Sequence, residues 1–115
     1  MSENIILVKS KRFAVRIIKL CQYLCDEKKE YVLSKQLLRS GTSVGANVKE
    51  AVRGQSHADF SSKMNIALKE ISETEYWLEL LNETNYITDE QFQSIYNDCQ
   101  EVLKILYSIV KTSRK

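Results

Sequence analysis

Apolar residues recur along this chain at the three- and four-residue spacing of an α-helix, in four separate stretches, and nothing reads as a strand. The first stretch predicts a helix over about residues 4–28, with Phe13, Ile17, Leu20, Cys21 and Leu24 as its inner stripe; its first turn is weakly defined. The second predicts a helix over 31–53, with Leu33, Leu37, Val44, Val48 and Ala51 facing inward. A third runs over 57–83 on Phe60, Met64, Ala67, Leu68, Ile71, Leu78 and Leu81. The fourth spans 89–111 on Phe92, Ile95, Tyr96, Cys99, Val102, Leu103, Leu106, Ile109 and Val110. Ser56 is placed to cap the third helix, and Thr88 with Gln91 forms a capping box for the fourth. The run Asp26–Glu30 reads as a charged connector and the tail Thr112–Lys115 as frayed.

Helices of this length are each about 30 Å long, and short connections force neighbours to run antiparallel. The expected fold is therefore all-α: one domain over 1–115, an antiparallel up-down-up-down four-helix bundle. The chain has no proline, and its three glycines, Gly41, Gly45 and Gly54, fall in one short window. Long uninterrupted helices with one specialised stretch follow from that distribution. Ser40–Ser43 is weakly helical by propensity, so the second helix is expected to kink or tighten there. Gly54 suits its C-terminal stop.

The third helix carries more apolar surface than one stripe requires. Ile66, Trp77 and Leu80 cluster well off its inner line, and Ile105 and Tyr107 flank that of the fourth helix. Scattered surface hydrophobes are one explanation; a subunit interface built around a tryptophan is the other. Glu75 falls on the core side of the third helix, where a carboxylate needs a partner. Counting back from the turn at 54–56 sets Arg39 at roughly its height, so an Arg39–Glu75 pair is expected.

Composition is that of an ordinary globular protein, 43% hydrophobic and 28% charged with a net charge of +2. The distribution says more: residues 1–58 carry +6 and residues 59–115 carry −4. Such asymmetry serves either an anion-binding face or subunits that dock basic side to acidic side. Lys9, Arg12, Arg16 and Lys19 share an arc of about 80° on the first helix, and Lys35, Arg39, Lys49 and Arg53 share a similar arc on the second. Two such stripes have the form of a phosphate-backbone track for RNA or DNA, and equally that of solvated helix faces. There is no arginine-rich block and no aromatic stacking platform.

Cys21, Cys25 and Cys99 are an odd set with no export or membrane segment ahead of them, so reduced thiols in a cytoplasm are expected. The spacing of Cys21 and Cys25 admits a metal, but no second ligand pair accompanies them, and no metal or cofactor is expected. Catalysis finds little support. His57 stands with Ser56 and Asp59 in a capping context, Gly41–Gly45 lacks the lysine of a phosphate loop, and Glu73, Glu75 and Glu79 lack a companion histidine. A non-enzymatic protein is expected.

The stretch Gln36–Ala51 (QLLRSGTSVGANVKEA) resembles the signature of the four-helix bundle family associated with intervening sequences in bacterial 23S ribosomal RNA genes. The likeness continues through Phe60–Glu70 (FSSKMNIALKE), Glu73–Leu78 (ETEYWL) and, upstream, Ser10–Ala14 (SKRFA). It implies a bundle that assembles as a ring, typically a homopentamer. The family includes the accessory variability protein of diversity-generating retroelements, a basic pentameric barrel that associates with nucleic acid and a reverse transcriptase. No catalytic residue comes with the resemblance. It implies structural roles for Arg39, Ser40, Gly41, Ser43, Gly45, Ala46, Asn47 and Glu50: close packing at the small residues and hydrogen bonding by Asn47 and Glu50. The expected function is association with RNA, DNA or a nucleic-acid-processing partner through basic helix faces. The alternative is a protein-binding scaffold with no nucleic-acid role.

Overall fold

A computed structural model describes residues 2–113. They form four helices: α1 (Ser2–Lys28), α2 (Leu33–Val52), α3 (His57–Glu83) and α4 (Asp89–Ser113), with no strand among the described residues. Each helix packs against two others. The pairs are α1–α2, α2–α3, α3–α4 and α1–α4, while α1 and α3, like α2 and α4, do not pack together. The body is rod-shaped, 44 × 20 × 18 Å.

The inner stripes meet in one core. Phe13, Ile17, Leu24, Leu37, Val44, Val48, Met64, Ile71, Leu78 and Leu106 are all fully buried. Each such side chain contributes roughly 1.5–3 kcal/mol relative to exposure, which is what holds four separate rods together. Ile6, in the weakly defined first turn, joins this core, whereas Leu20, Leu33, Phe60, Leu68, Phe92 and Leu103 lie at its half-buried edge.

The helix ends show why each element stops. Lys29 and Asn85 adopt left-handed backbone (φ 54° and 67°) just past α1 and α3. The next amide then reaches back to the last turn, Glu30 N to Leu24 O (3.0 Å) and Tyr86 N to Leu81 O (2.9 Å). Asp59 N donates to Ser56 Oγ (3.0 Å), and Thr88 with Gln91 makes the reciprocal pair at 2.8 and 3.1 Å. Gly54 follows α2 without left-handed backbone.

Three expectations change. The connector at Asp26–Glu30 is not simply solvated: Glu30 is only 8% exposed, and its carboxylate accepts from the amides of Val32, Leu33 and Ser34 (3.2, 3.0 and 2.8 Å). It caps α2 in place of Val32, which offers no side-chain cap. Secondly, α2 is one unbroken α-helix through Ser40–Ser43. Thr42 and Ser43 donate to the carbonyls of Leu38 and Arg39 (2.7 and 2.6 Å), so their hydroxyls are satisfied without breaking the helix. Finally, Thr112 and Ser113 remain helical. Ser113 Oγ lies 2.8 Å from Ser61 Oγ, and its carbonyl lies 2.8 Å from His57 Nε2, tying α4 to α3. Arg114 and Lys115 lie outside the described residues.

Candidate functional site

The Gln36–Ala51 segment lies on α2, which packs on α1 along one flank and on α3 along the other. Its glycines face α1. A Cβ on Gly41 would sit 2.8 Å from Ile17 Cγ2 and 2.9 Å from Cγ1, closer than real side chains approach, and one on Gly45 would lie 3.4 Å from the Ser10 carbonyl. The small residues therefore set how closely α1 and α2 approach. Cys21 Sγ reaches the Ser34 carbonyl (3.3 Å) further along that seam.

The flank toward α3 is polar. Ser40 Oγ and Thr74 Oγ1, both buried, are 2.9 Å apart, and Thr74 also donates to the Glu70 carbonyl (2.8 Å). Arg39 bonds Glu73 and lies 3.4 Å from Glu70. Trp77 Nε1 donates to the same Glu73 carboxylate (2.9 Å), joining the indole to this network. Asn47 donates to the Ser43 carbonyl (2.8 Å), and Glu50 pairs with Lys63 (3.1 Å). Ala46 is exposed. The chemistry of this cluster is that of a clamp between two helices. Every buried side-chain polar atom among the described residues has a partner.

The expected Arg39–Glu75 pair does not form. Glu75 sits on the other flank of α3, where Gln100 donates to it and the Tyr96 hydroxyl lies 3.4 Å away. Burial, followed by the charges of Glu75 and Glu79, pushes the Tyr96 hydroxyl up. Glu79 is raised too, first by desolvation and then by Glu75 and Glu83, which stand one turn to either side.

The cations divide into two groups. Lys9 pairs with Glu101 (3.1 Å) and Arg16 with Asp98 (2.7 Å), so part of the α1 stripe is tied to α4. Arg16 also donates to Ser94, to both its carbonyl and hydroxyl oxygens (3.1 and 2.9 Å). Arg39 serves α3, as above. Arg12 and Lys19 on α1, and Lys35, Lys49 and Arg53 on α2, are exposed and make no ion pair among the described residues. Lys35, Lys49 and Arg53 share one outward line of α2, about 27 Å long at 1.5 Å per residue. Between them lie the small residues Thr42 and Ala46 and, at the side toward α3, Arg39. At the end of this line Lys49, Arg53 and Lys63 open onto a groove that also holds Glu50 and Asp59.

Several of the candidate reactive groups are held in structural contacts. Ser56 caps α3 and His57 meets the end of α4. Burial pushes the thiols of Cys21 and Cys99 up to about 12, so both stay protonated near neutrality and act as small hydrophobes. Cys25 Sγ meets the Glu30 carbonyl (3.7 Å) and Ser34 Oγ (3.6 Å). No group of three or more metal-ligating side chains comes together among the described residues. No helix among them is long and apolar enough to cross a membrane.

In the apolar cluster of α3, Trp77 lies on the α2 side, bonded to the Glu73 carboxylate that Arg39 reaches, while Ile66 and Leu80 lie further round the outer face. Trp77 and Leu80 are half-buried and Ile66 is 38% exposed. Trp77 also meets the Tyr76 ring edge-on, with centroids 5.3 Å apart. Sequence reasoning overlooked Ile5, Val8, Val15 and Ile18, a further exposed apolar set on α1; their spacing of three, ten and thirteen residues from Ile5 was the available signal.

Residues 2–108 match the family model of the 23S rRNA-intervening sequence protein. The chain belongs to that family. It is also similar to a crystal structure, at 1.70 Å resolution, of a protein of unknown function from the S23 ribosomal protein family of Bacteroides thetaiotaomicron VPI-5482. The two share 59% identity over 96% of this chain and 99% of that one, with a TM-score of 0.94. No curated protein matches the sequence. For this member of the intervening-sequence family, the polar clamp thus lies within its most distinctive sequence segment, and the unpaired cations of α2 border it.

Proposed function

We propose that this protein is a non-enzymatic, cytoplasmic bundle that binds RNA or DNA along the outward line of α2. In this reading it has up-down-up-down topology and self-assembles into a ring, as a homopentamer. Lys35, Lys49 and Arg53 carry the proposal: three exposed cations on one line, with no carboxylate partner among the described residues. Surface cations lacking a partner keep their full charge available to a polyanion, whereas Lys9, Arg16 and Arg39 are partly neutralised by neighbours. A ring would repeat the α2 line once per subunit and so raise the local charge seen by a long polymer. A kinship with the accessory variability protein of diversity-generating retroelements fits the same reading.

Such binding is read as contact with the phosphate backbone, which positions the polymer without reading its sequence. Fluorescence anisotropy of a labelled single-stranded RNA is the test. The reading requires binding that weakens steadily as salt rises and is much weaker, though still measurable at low salt, in K35E/K49E/R53E. Binding absent at low salt, or unchanged in that variant, contradicts it and leaves the protein-binding scaffold.

A further inference from the structure

The outer faces of α1 and α3 are chemical complements. On α1, Ile5, Val8, Val15 and Ile18 remain between 40% and 50% exposed. Lys11, Arg12 and Lys19 are exposed among them. At 100° per residue these positions fill an arc of about 140° centred opposite Phe13 and Ile17. From residue 4 to residue 25 the helix contains no acidic side chain. On α3 the arc opposite the core holds Ile66 (38% exposed) and Tyr76 (53%), half-buried Leu80, and the carboxylates of Glu79 and Glu83, with Lys69 also on this face. Neither Glu79 nor Glu83 has an ion-pair partner among the described residues. Both apolar strips run for about 20 Å along their helices.

Neither face has a partner among the described residues. α1 and α3 each pack on α2 and α4 and not on each other, so they occupy opposite corners and both outer faces stay open. A two-fold contact of α1 with α1 would bring two faces that carry only cations onto one seam. Like charges across an apolar contact cost free energy, so symmetric pairing is disfavoured. The geometry points to a head-to-tail contact in which the outer face of α1 in one copy seats on the outer face of α3 in the next, cations against carboxylates. Each copy gives one face and accepts another, which is the arrangement that propagates into a ring or a filament. The raised Glu79 is consistent, because a neighbour's cation relieves the repulsion from Glu75 and Glu83.

The assignment rests on the self-assembly reading for its occupant, a second copy of this chain. It has a consequence for the nucleic-acid reading: Arg12 and Lys19 are committed to carboxylates, and the α2 line is left as the polyanion track.

Sedimentation of the full chain at one fixed concentration tests it, with far-UV circular dichroism as the folding control. Wild type is expected well above the single-chain mass of 13.3 kDa. The reversals K11E/R12E/K19E and E79K/E83K, all on exposed or edge positions, are each expected to shift toward single-chain mass. An equimolar mixture of the two is expected to recover the larger mass, because acidic α1 now meets basic α3 and the reverse. Helical variants that each keep the wild-type mass, or a mixture that fails to recover it, overturn the assignment while leaving self-assembly intact. Wild type sedimenting as single chains overturns both.

Discussion

The inward flanks of α2 and its outward line belong to one helix and do opposite things with similar sequence material. Inward, Gly41 and Gly45 bring the backbone against Ile17 and Ser10 and Ser40 meets Thr74, while Arg39, half exposed at the rim toward α3, reaches Glu70 and Glu73. Outward, Lys35, Lys49 and Arg53 touch no carboxylate among the described residues. Arg39 and Arg53 look alike in the sequence and differ only in what stands across from them. A basic residue in a stripe therefore carries no function by itself; its partners decide whether it holds the fold or faces solvent.

The largest expected effect lies on the α1 flank. Gly41→Ala forces its new methyl into Ile17 and is expected to cost about 2 kcal/mol, despite a gain in helix propensity of about 1 kcal/mol. The same change made on an Ile17→Ala background meets empty space and is expected to be neutral or stabilising. Urea denaturation of the four chains measures the coupling, and additive effects would sink the close-approach account.

The α3 flank is wetter, and its changes should be smaller. Arg39→Ala is expected to destabilise by about 1 kcal/mol or less, because the guanidinium is half exposed and solvent screens its pairs. Trp77 fluorescence should shift with it, since Glu73 is shared between the guanidinium and the indole. Glu75→Gln should leave that fluorescence unchanged, and an equal shift would restore the discarded Arg39–Glu75 pair.

Smallest is a pH effect on the outer side of α3. The fold raises the Glu79 carboxyl above its ordinary value, so it favours the protonated form. Its contribution to stability is present at acid pH and is lost as pH rises through the raised value. In the single-chain K11E/R12E/K19E background, where no neighbour's cation faces it, Glu79→Gln is therefore expected to raise the melting temperature slightly at about pH 7 and not at about pH 3. An equal change at both would contradict the assignment.

Much of the architecture was legible because it is local. Periodicity delivered four helices, and the caps at Ser56 and at Thr88 with Gln91 follow from residues three apart. What failed was relational. A helical wheel places Glu75 on the core side but does not say which neighbour stands beside it; that depends on how α2 and α4 flank α3. Arg39 finds Glu70 and Glu73, on the α2 side of the same helix. Glu30 was missed for another reason. Its carboxylate caps from four residues before Ser34, outside the usual cap position, and in sequence it is one charge in a charged connector. Propensity misjudged Ser40–Ser43 because hydroxyl-to-carbonyl bonds along the helix and the contact with Thr74 outweigh a weak local preference.

The contrast between the two sides of α2 is tested most directly by the salt dependence of RNA affinity, compared between wild type and K35E/K49E/R53E. Each phosphate contact on a single strand contributes about −0.7 to the slope of log affinity against log salt. Loss of three contacts is therefore expected to flatten that slope by about 2, with thermal stability unchanged because the three side chains hold nothing in the bundle. Equal slopes for the two proteins would contradict the account.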